Sequence, residues 1–188
     1  MTKNISGKQI AILVADGFEK SELLKPRKAL DEGDAVTYVI SPVEEKVKSW
    51  DGGNWGESVA VDVRLEDANA DNYDALLLPG GVINPDKLRI NKTAIEFIKA
   101  FFDSKKPVAA ICHGPWTLIN AGVVKGKRMT SWPSLEADLT NAGAQWVDEE
   151  VVVDQGLVTS RKPDDIPAFC NKMVEEIAEG KHEARKAG

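Results

Sequence analysis

The sequence predicts a three-layer α/β sandwich built on a mostly parallel sheet. Three short apolar runs each end at a turn, and helix-patterned segments follow them along the chain. Strands that alternate with helices at this spacing form parallel sheets, because each crossover helix returns the chain to the same end of the sheet. The chain has 188 residues and no internal repeat, so we expect one domain, 1–188, with its core at about 8–178.

The first half of the chain predicts three strands, a helix and a turn. Residues 8–15 form a near-continuous apolar run, which is typical of a strand buried on both faces. A helix is expected at 19–32, with Pro26 inside it and Gly33 as its stop. The remaining predictions here are a second strand at 35–40, a glycine-rich turn at 50–56 and a more exposed strand at 58–63.

The second half continues the alternation and closes on a helix. Residues 75–78 and 107–111 predict short buried strands, and 91–104 carries apolar side chains at helical spacing between them. Further predictions are an apolar turn at 116–119, a helix at 133–142, a hairpin at 150–160, a last helix at 164–179 and a frayed charged tail at 180–188.

Composition excludes several classes of function. Lys and Arg total 24 against 30 Asp and Glu, and this net charge of −6 makes a nucleic-acid partner improbable. The longest apolar run has six residues, 10–15, so no membrane partner is expected and the default compartment is the cytoplasm. The two cysteines and two histidines form no cluster, which argues against a disulfide framework and a metal site.

Three turns of the predicted sheet carry polar groups to one edge. They are residues 16–19, 79–81 and 112–114, each following a buried strand. In parallel sheets the ligand crevice lies at the carboxyl ends of the strands. We therefore expect a functional crevice where these turns meet.

Cys112 stands at the junction between a buried strand and the following turn, the position of the nucleophile in a nucleophile elbow. Backbone N–H groups at a helix N-terminus would favour its thiolate form and lower its pKa. The alternative is a small buried residue at a strand end, but the adjacent His113 and Gly114 favour chemistry. Cys170 follows Ala168 and Phe169 in the last helix and is interpreted as core packing.

Three motifs together resemble the ThiJ/PfpI superfamily, and the match is best to its PfpI-like branch. They are 110–115, 15–19 and 78–81, which read AICHGP, ADGFE and LPGG. The resemblance covers about residues 8–178 and implies a flavodoxin-like fold related to class I glutamine amidotransferases. Members of the branch are described as intracellular cysteine peptidases, general stress proteins, and protein deglycases or glutathione-independent glyoxalases.

The resemblance also implies roles for individual residues. Cys112 corresponds to the nucleophile, His113 to the base beside it, and Glu19 to the acid that hydrogen-bonds the sulfur. The backbone N–H groups of Gly80 or Gly81 correspond to an oxyanion-binding loop.

A further role is implied across a subunit interface. In peptidase-like members a carboxylate from a neighbouring subunit orients the histidine, and the matching residue here is Asp86, where those members have glutamate. This implies a homo-oligomer, either a dimer or a hexamer. Each of these residues also has a simpler, structural interpretation. His113 could pack at a subunit interface, Glu19 could stabilise the start of a helix, and Asp86 could be a turn residue.

Three functions compete for the same cysteine. The leading hypothesis is a deglycase or glyoxalase that acts on methylglyoxal, glyoxal or their protein adducts without a metal or organic cofactor. The second is an intracellular cysteine peptidase, although a small crevice with one base is poorly suited to an extended peptide. The third is an oxidation sensor or chaperone in which the thiol becomes a sulfenic or sulfinic acid.

Overall fold

A computed structural model of the chain describes residues 4–182 and contains twelve strands in that part of the chain. In chain order they are β1 (Gln9–Leu13), β2 (Phe18–Glu19), β3 (Val36–Ser41), β4 (Lys46–Asp51), β5 (Asn54–Ala60), β6 (Val63–Arg64), β7 (Ala75–Leu78), β8 (Val108–Ile111), β9 (Arg128–Met129), β10 (Gln145–Trp146), β11 (Val151–Asp154) and β12 (Leu157–Ser160).

Seven of the strands form the central sheet, in the order β11-β12-β8-β7-β1-β3-β6. All neighbouring pairs run parallel except β11 with β12, the predicted hairpin. β1, β7 and β8 lie at the centre and consist almost wholly of buried apolar residues, because helices cover both faces of the sheet. The predicted mostly parallel sheet is therefore confirmed.

Six α-helices complete the described part of the chain. They are α1 (Lys20–Glu32), α2 (Ile83–Arg89), α3 (Lys92–Asp103), α4 (Trp116–Asn120), α5 (Glu136–Asn141) and α6 (Ile166–Glu179). Side chains of α1 and α6 share one core cluster with one face of the sheet, whereas α2 to α5 pack in a second cluster on the opposite face. The three-layer α/β/α class follows directly from these two cores.

A second, three-stranded sheet of β2, β4 and β5 lies outside the central one. β4 and β5 form an antiparallel hairpin whose turn is Gly52–Gly53, with φ of 58° and 91°. The sequence predicted a turn over 50–56 and no strand before it, so the turn is shorter than expected. Two successive positive φ angles close a two-residue hairpin, and glycine is the residue that adopts them freely.

Several element boundaries differ from the predictions. The segment 116–119 belongs to helix α4 rather than a turn, and α2 was not predicted at all. The predicted helix at 133–142 begins as a 3-10 turn, Pro133–Leu135, before α5. The predicted exposed strand at 58–63 is split between the end of β5 and β6.

Helix α6 ends just before the predicted charged tail. Gly180 ends α6 with a φ of 80°, and from residue 183 the predicted tail lies outside the described residues. Within residues 4–182, no helix combines the length and the apolar character required to traverse a lipid bilayer.

Candidate active site

A cavity of about 510 Å³ opens at the carboxyl ends of the central strands. The loops after β1, β7 and β8 all contribute to it, as the sequence predicted from the three polar turns. Its lining includes Glu19, Glu22, Gly81, Cys112 and His113. Four of the six candidate residues from the sequence therefore line one cavity.

Cys112 occupies a strained backbone position directly after β8. Its φ is 60°, a left-handed conformation that side chains other than glycine rarely adopt. The turn is held on both sides: Cys112 N donates to Ser160 O at 3.0 Å, and Trp132 N donates to Cys112 O at 2.9 Å. The thiol is thereby turned out of the strand and toward the cavity, which agrees with the predicted elbow.

His113 contacts the thiol through its ring. Its Nδ1 lies 3.3 Å from Cys112 Sγ, and its Nε2 lies 3.5 Å from Ser134 Oγ. The ring also stacks on Trp132, with centroids 6.1 Å apart and planes at 23°. Burial lowers the pKa of His113, so the imidazole is neutral at neutral pH and can accept a proton from the thiol.

The acid beside the sulfur is Glu22 and not Glu19, which corrects the sequence-based assignment. The Glu22 carboxyl is close enough to Cys112 to raise the pKa of the thiol, and Glu22 Oε2 accepts from Gly80 N at 2.9 Å. Glu19 is the N-cap of α1, and its Oε1 accepts from Ser21 N and Ser21 Oγ. Its carboxylate is thus held at the helix start, half-buried in the cavity wall.

The positions of the two acids relative to helix α1 explain why Glu22, and not Glu19, lies beside the sulfur. Glu22 shares the buried face of α1 with Pro26 and Leu30, which follow at intervals of four residues. A carboxyl on such a face is completely enclosed, and desolvation raises the pKa of Glu22 to about 8. Glu22 is consequently a carboxylic acid at neutral pH. The signal for it was present in the sequence as an acidic residue on an apolar helix face.

The glycine loop provides one of the two predicted N–H groups. Gly80 N is engaged by Glu22, so this group does not face a substrate. The N–H groups of Gly81 and His113 lower the pKa of the Cys112 thiol, and the Gly81 N–H also lowers the pKa of Glu22. A Cβ on Gly80 would lie 2.7 Å from Cys112 Cβ, which explains the need for glycine at this close approach. Of the two glycines named from the sequence, Gly81 therefore remains a candidate for oxyanion binding, together with the N–H of His113.

The electrostatics of the thiol differ from the sequence-based expectation. Burial raises the pKa of Cys112, and the neighbouring Glu22 raises it further, while the N–H groups of Gly81 and His113 lower it. Cys112 does not stand directly at a helix N-terminus as the sequence predicted, because α4 begins only at Trp116. The resting state is therefore a thiol that needs a base when it reacts.

Asn84 is a structural member of the site that the sequence analysis did not single out. Its Oδ1 accepts from Ala15 N at 2.7 Å, and its Nδ2 donates to Pro79 O at 3.0 Å and Gly80 O at 3.1 Å. This fully buried amide ties the loop after β1 to the loop after β7. Only the three-dimensional structure shows this link, since the two loops are far apart in sequence.

Asp86 is not among the described residues that line the cavity of its own chain. It is exposed in the first turn of α2, on the same face as Val82 and Ile90, which are 54% and 83% exposed. This placement leaves the predicted role across a subunit interface as a proposal.

One group of side chains in the described residues could hold a metal ion. It consists of Glu176, Glu179 and His182, whose ligand atoms lie within 4.8 Å of one another. His182 Nε2 already pairs with Glu176 Oε2 at 3.0 Å, and His182 N donates to Lys105 O ahead of β8. The group therefore lies at the amino end of the strands, opposite the thiol.

Taken together, a parallel α/β sheet and a cysteine elbow with an adjacent histidine and buried acid define a class of thiol-dependent α/β proteins. Residues 8–176 match the DJ-1/PfpI family model, and the chain belongs to that family. This confirms the resemblance stated from the sequence.

Named relatives of this chain carry different functional names. General stress protein 18 of Bacillus subtilis is 48% identical over 89% of this chain and 96% of its own length. "Putative cysteine protease YraA" of the same organism is 46% identical, with the same two coverages. "Deglycase PfpI" of Pyrococcus furiosus is 43% identical over 88% of this chain and 97% of its own.

A solved structure supports the same fold. DJ-1beta of Drosophila melanogaster superposes with a TM-score of 0.84 and is 28% identical, covering 92% of this chain and 91% of that one. The names of the relatives together indicate a stress-related, enzymatic function of the DJ-1/PfpI type.

Proposed function

We propose that this protein is a cysteine-dependent deglycase or glyoxalase acting on methylglyoxal, glyoxal or their early adducts with amino and thiol groups. The observation that carries the proposal is the 3.3 Å contact between Cys112 Sγ and His113 Nδ1 beside the carboxyl of Glu22. Nucleophile, base and acid border one cavity of about 510 Å³. That volume suits a small carbonyl compound better than an extended peptide.

The first step is addition of the thiol to the aldehyde carbon. His113 Nδ1 accepts the proton of Cys112 while sulfur forms a bond to carbon and the carbonyl electron pair moves to oxygen. The N–H groups of Gly81 and His113 are placed to stabilise the developing oxyanion. Return of the proton to that oxygen gives a neutral hemithioacetal.

The second step is an internal redox exchange within the substrate. A base removes the proton from the former aldehyde carbon, and an acid delivers a proton to the neighbouring carbonyl carbon through an enediol. The first carbon becomes a thioester and the second a hydroxyl-bearing carbon, so oxidation and reduction balance. Water then hydrolyses the thioester, which releases the 2-hydroxy acid and restores the thiol.

The protonation states of Glu22 and His113 suit their proposed roles as acid and base. Glu22, with its pKa raised to about 8, is an acid that can donate at neutral pH. His113, with its pKa lowered by burial, is a neutral base. Two groups whose pKa values are pushed in opposite directions are what a proton shuttle requires.

The test is direct detection of the 2-hydroxy acid formed from methylglyoxal by wild type and by Cys112→Ala. We expect product from wild type and a loss of at least about 1000-fold in the variant, because the nucleophile is gone. Cys170→Ala is the matched control and should keep wild-type activity. Disappearance of aldehyde alone is insufficient, since a thiol captures aldehydes without turnover.

A fluorogenic peptide in the same assay separates the peptidase alternative. Cleavage of the peptide that depends on Cys112, without hydroxy acid from methylglyoxal, would replace this proposal by a peptidase function. Activity that survives Cys112→Ala would exclude both.

We further propose a homo-oligomer in which Asp86 of one subunit approaches His113 of another. The exposed face of α2 that carries Val82, Asp86 and Ile90 supports this, because large apolar side chains at 54% and 83% exposure favour a covered surface. Sedimentation should show an oligomer, and Asp86→Asn should lower activity without dissociating it. A stable monomer with full activity would remove the role of Asp86.

A further inference from the structure

The cavity wall carries a carboxylate that the proposed chemistry does not use. Glu19 is half-buried there, and Oε1 accepts from Ser21 N at 3.4 Å and from Ser21 Oγ at 3.1 Å. Both donors are neutral groups. None of the ion pairs formed within residues 4–182 includes Glu19. The negative charge of this side chain therefore faces the cavity without a cationic partner.

Aromatic rings form the neighbouring walls. Trp50 lies beside Glu19, because the two residues are register partners on β4 and β2. Its ring is held edge-to-face by Trp55, with centroids 5.4 Å apart and planes at 84°. Trp132 borders the cavity from the other side, where it stacks on His113. The faces of such rings attract cations.

Neighbouring lysines do not neutralise this charge. No lysine or arginine is among the described residues that line the cavity. Lys20 is directed to Asp51 and Glu57, at 3.2 Å and 3.1 Å, and Lys87 is directed to Asp16 at 3.9 Å. A carboxylate and aromatic faces without a local cation give the cavity a negative potential, which low-dielectric walls strengthen.

We propose that Glu19, with the ring of Trp50, forms a subsite for a positively charged group. The subsite makes the enzyme prefer carbonyl substrates that carry an ammonium or guanidinium near the reacting carbon, and it disfavours anionic ones. This inference rests on the proposed function, since it takes Cys112 as the reacting centre. Glu19 then acts as a specificity-determining residue rather than as the acid of the reaction.

Charged thiol reagents test the subsite without requiring turnover. Full-length protein at pH 6.5 and low salt is treated with methanethiosulfonates bearing a trimethylammonium, a sulfonate or no charge. Mass spectrometry gives the rate of Cys112 modification, and each rate is divided by that of a free thiol. We expect the cationic reagent to react at least about tenfold faster than the anionic one on this scale.

Three variants assign the effect to its source. Glu19→Gln should lower the ratio of cationic to anionic rates by about tenfold while leaving the neutral reagent unchanged. Trp50→Leu should slow only the cationic reagent, by about threefold. Glu96→Gln removes an exposed charge on α3, outside the cavity, and should change nothing.

The outcomes separate this inference from the proposed function. A ratio near one in wild type, or a ratio unchanged in Glu19→Gln, overturns the subsite, and an equal change in Glu96→Gln does so as well. Hydroxy-acid formation from methylglyoxal is measured on the same samples. If no hydroxy acid forms but Glu19→Gln still abolishes the charge preference, the proposed function fails and the subsite stands.

Discussion

The two cysteines of this protein are almost equally shielded from solvent, yet their surroundings have little in common. Cys112 is 7% exposed and Cys170 is 9% exposed. Cys112 has a positive φ, an imidazole at 3.3 Å and a buried carboxyl beside it. Cys170 lies inside α6 in a core cluster, and burial alone raises its pKa, to about 11.

This difference shows that burial by itself does not decide what a thiol can do. Both thiols are disfavoured as thiolates by desolvation. Only Cys112 has a base that can take its proton and a cavity through which a reagent can arrive. Reactivity therefore depends on polar neighbours and access, and three measurements can break or sharpen this comparison.

The largest expected effect is in alkylation. In native protein at pH 7.5, iodoacetamide should modify Cys112 about 100-fold faster than Cys170, because Cys170 reacts only when its helix opens. Mass spectrometry of both cysteine-containing peptides over time gives the two rates. In denaturant the rates should converge, which is the control. Equal rates in the folded protein would mean that the Cys112 turn is purely structural.

The second expected effect concerns Glu22, the buried acid beside Cys112, which has no counterpart beside Cys170. The pKa of Glu22 is raised from 4.5 to about 8 in the folded protein, so the folded state holds this proton more tightly than the unfolded chain. Stability from this group is therefore complete below pH 4.5 and is lost as pH rises toward 8. In Glu22→Gln this decline, on the order of 5 kcal/mol in the free energy of unfolding, should be absent.

Urea titrations at several pH values between 4.5 and 8.5 measure this decline, with Glu96→Gln as the matched control. The control should retain the wild-type slope, since Glu96 is exposed on α3 and lies outside the cavity. Identical pH profiles for wild type and Glu22→Gln would show that Glu22 is not held protonated beside the sulfur.

The smallest expected effect concerns the contact between Ser134 and Nε2 of His113, the ring nitrogen that does not face the thiol. Ser134 Oγ lies 3.5 Å from His113 Nε2, a distance that indicates a weak hydrogen bond. Ser134→Ala should lower kcat/KM for methylglyoxal by about threefold, because Trp132 still holds the ring. Ser58→Ala on the exposed hairpin is the control. A loss of 100-fold or more would instead make Ser134 a main determinant of the imidazole position.

The central strands and the cysteine turn were accessible to sequence reasoning because their signals are local. The apolar runs at 75–78 and 107–111 correspond closely to β7 and β8. Each run ends at a turn residue, and in a parallel sheet these ends share one edge. The position of Cys112 in the crevice follows from that rule and a few adjacent residues.

The choice between two acids one helical turn apart was less accessible. The sequence analysis assigned Glu19 to the sulfur, but Glu19 precedes the helix and caps it, whereas Glu22 lies on the buried face. Residues three positions apart lie on approximately the same face of a helix, so residue type alone does not show which of the two glutamates contacts the sulfur. The raised thiol pKa was also missed, because it arises from burial and from Glu22 beside the sulfur, and both depend on the tertiary structure.

The hairpin of β4 and β5 has a consequence for how this protein can change over evolutionary time. It supplies Trp50 to the cavity but is hydrogen-bonded to β2 and not to any strand of the central sheet. Substitutions in the hairpin can therefore alter which molecules enter without disturbing the ladder that holds Cys112 at the end of β8. The reactive thiol and the selection of its substrate are inherited on separate structural units, so a lineage can retain one while exploring the other.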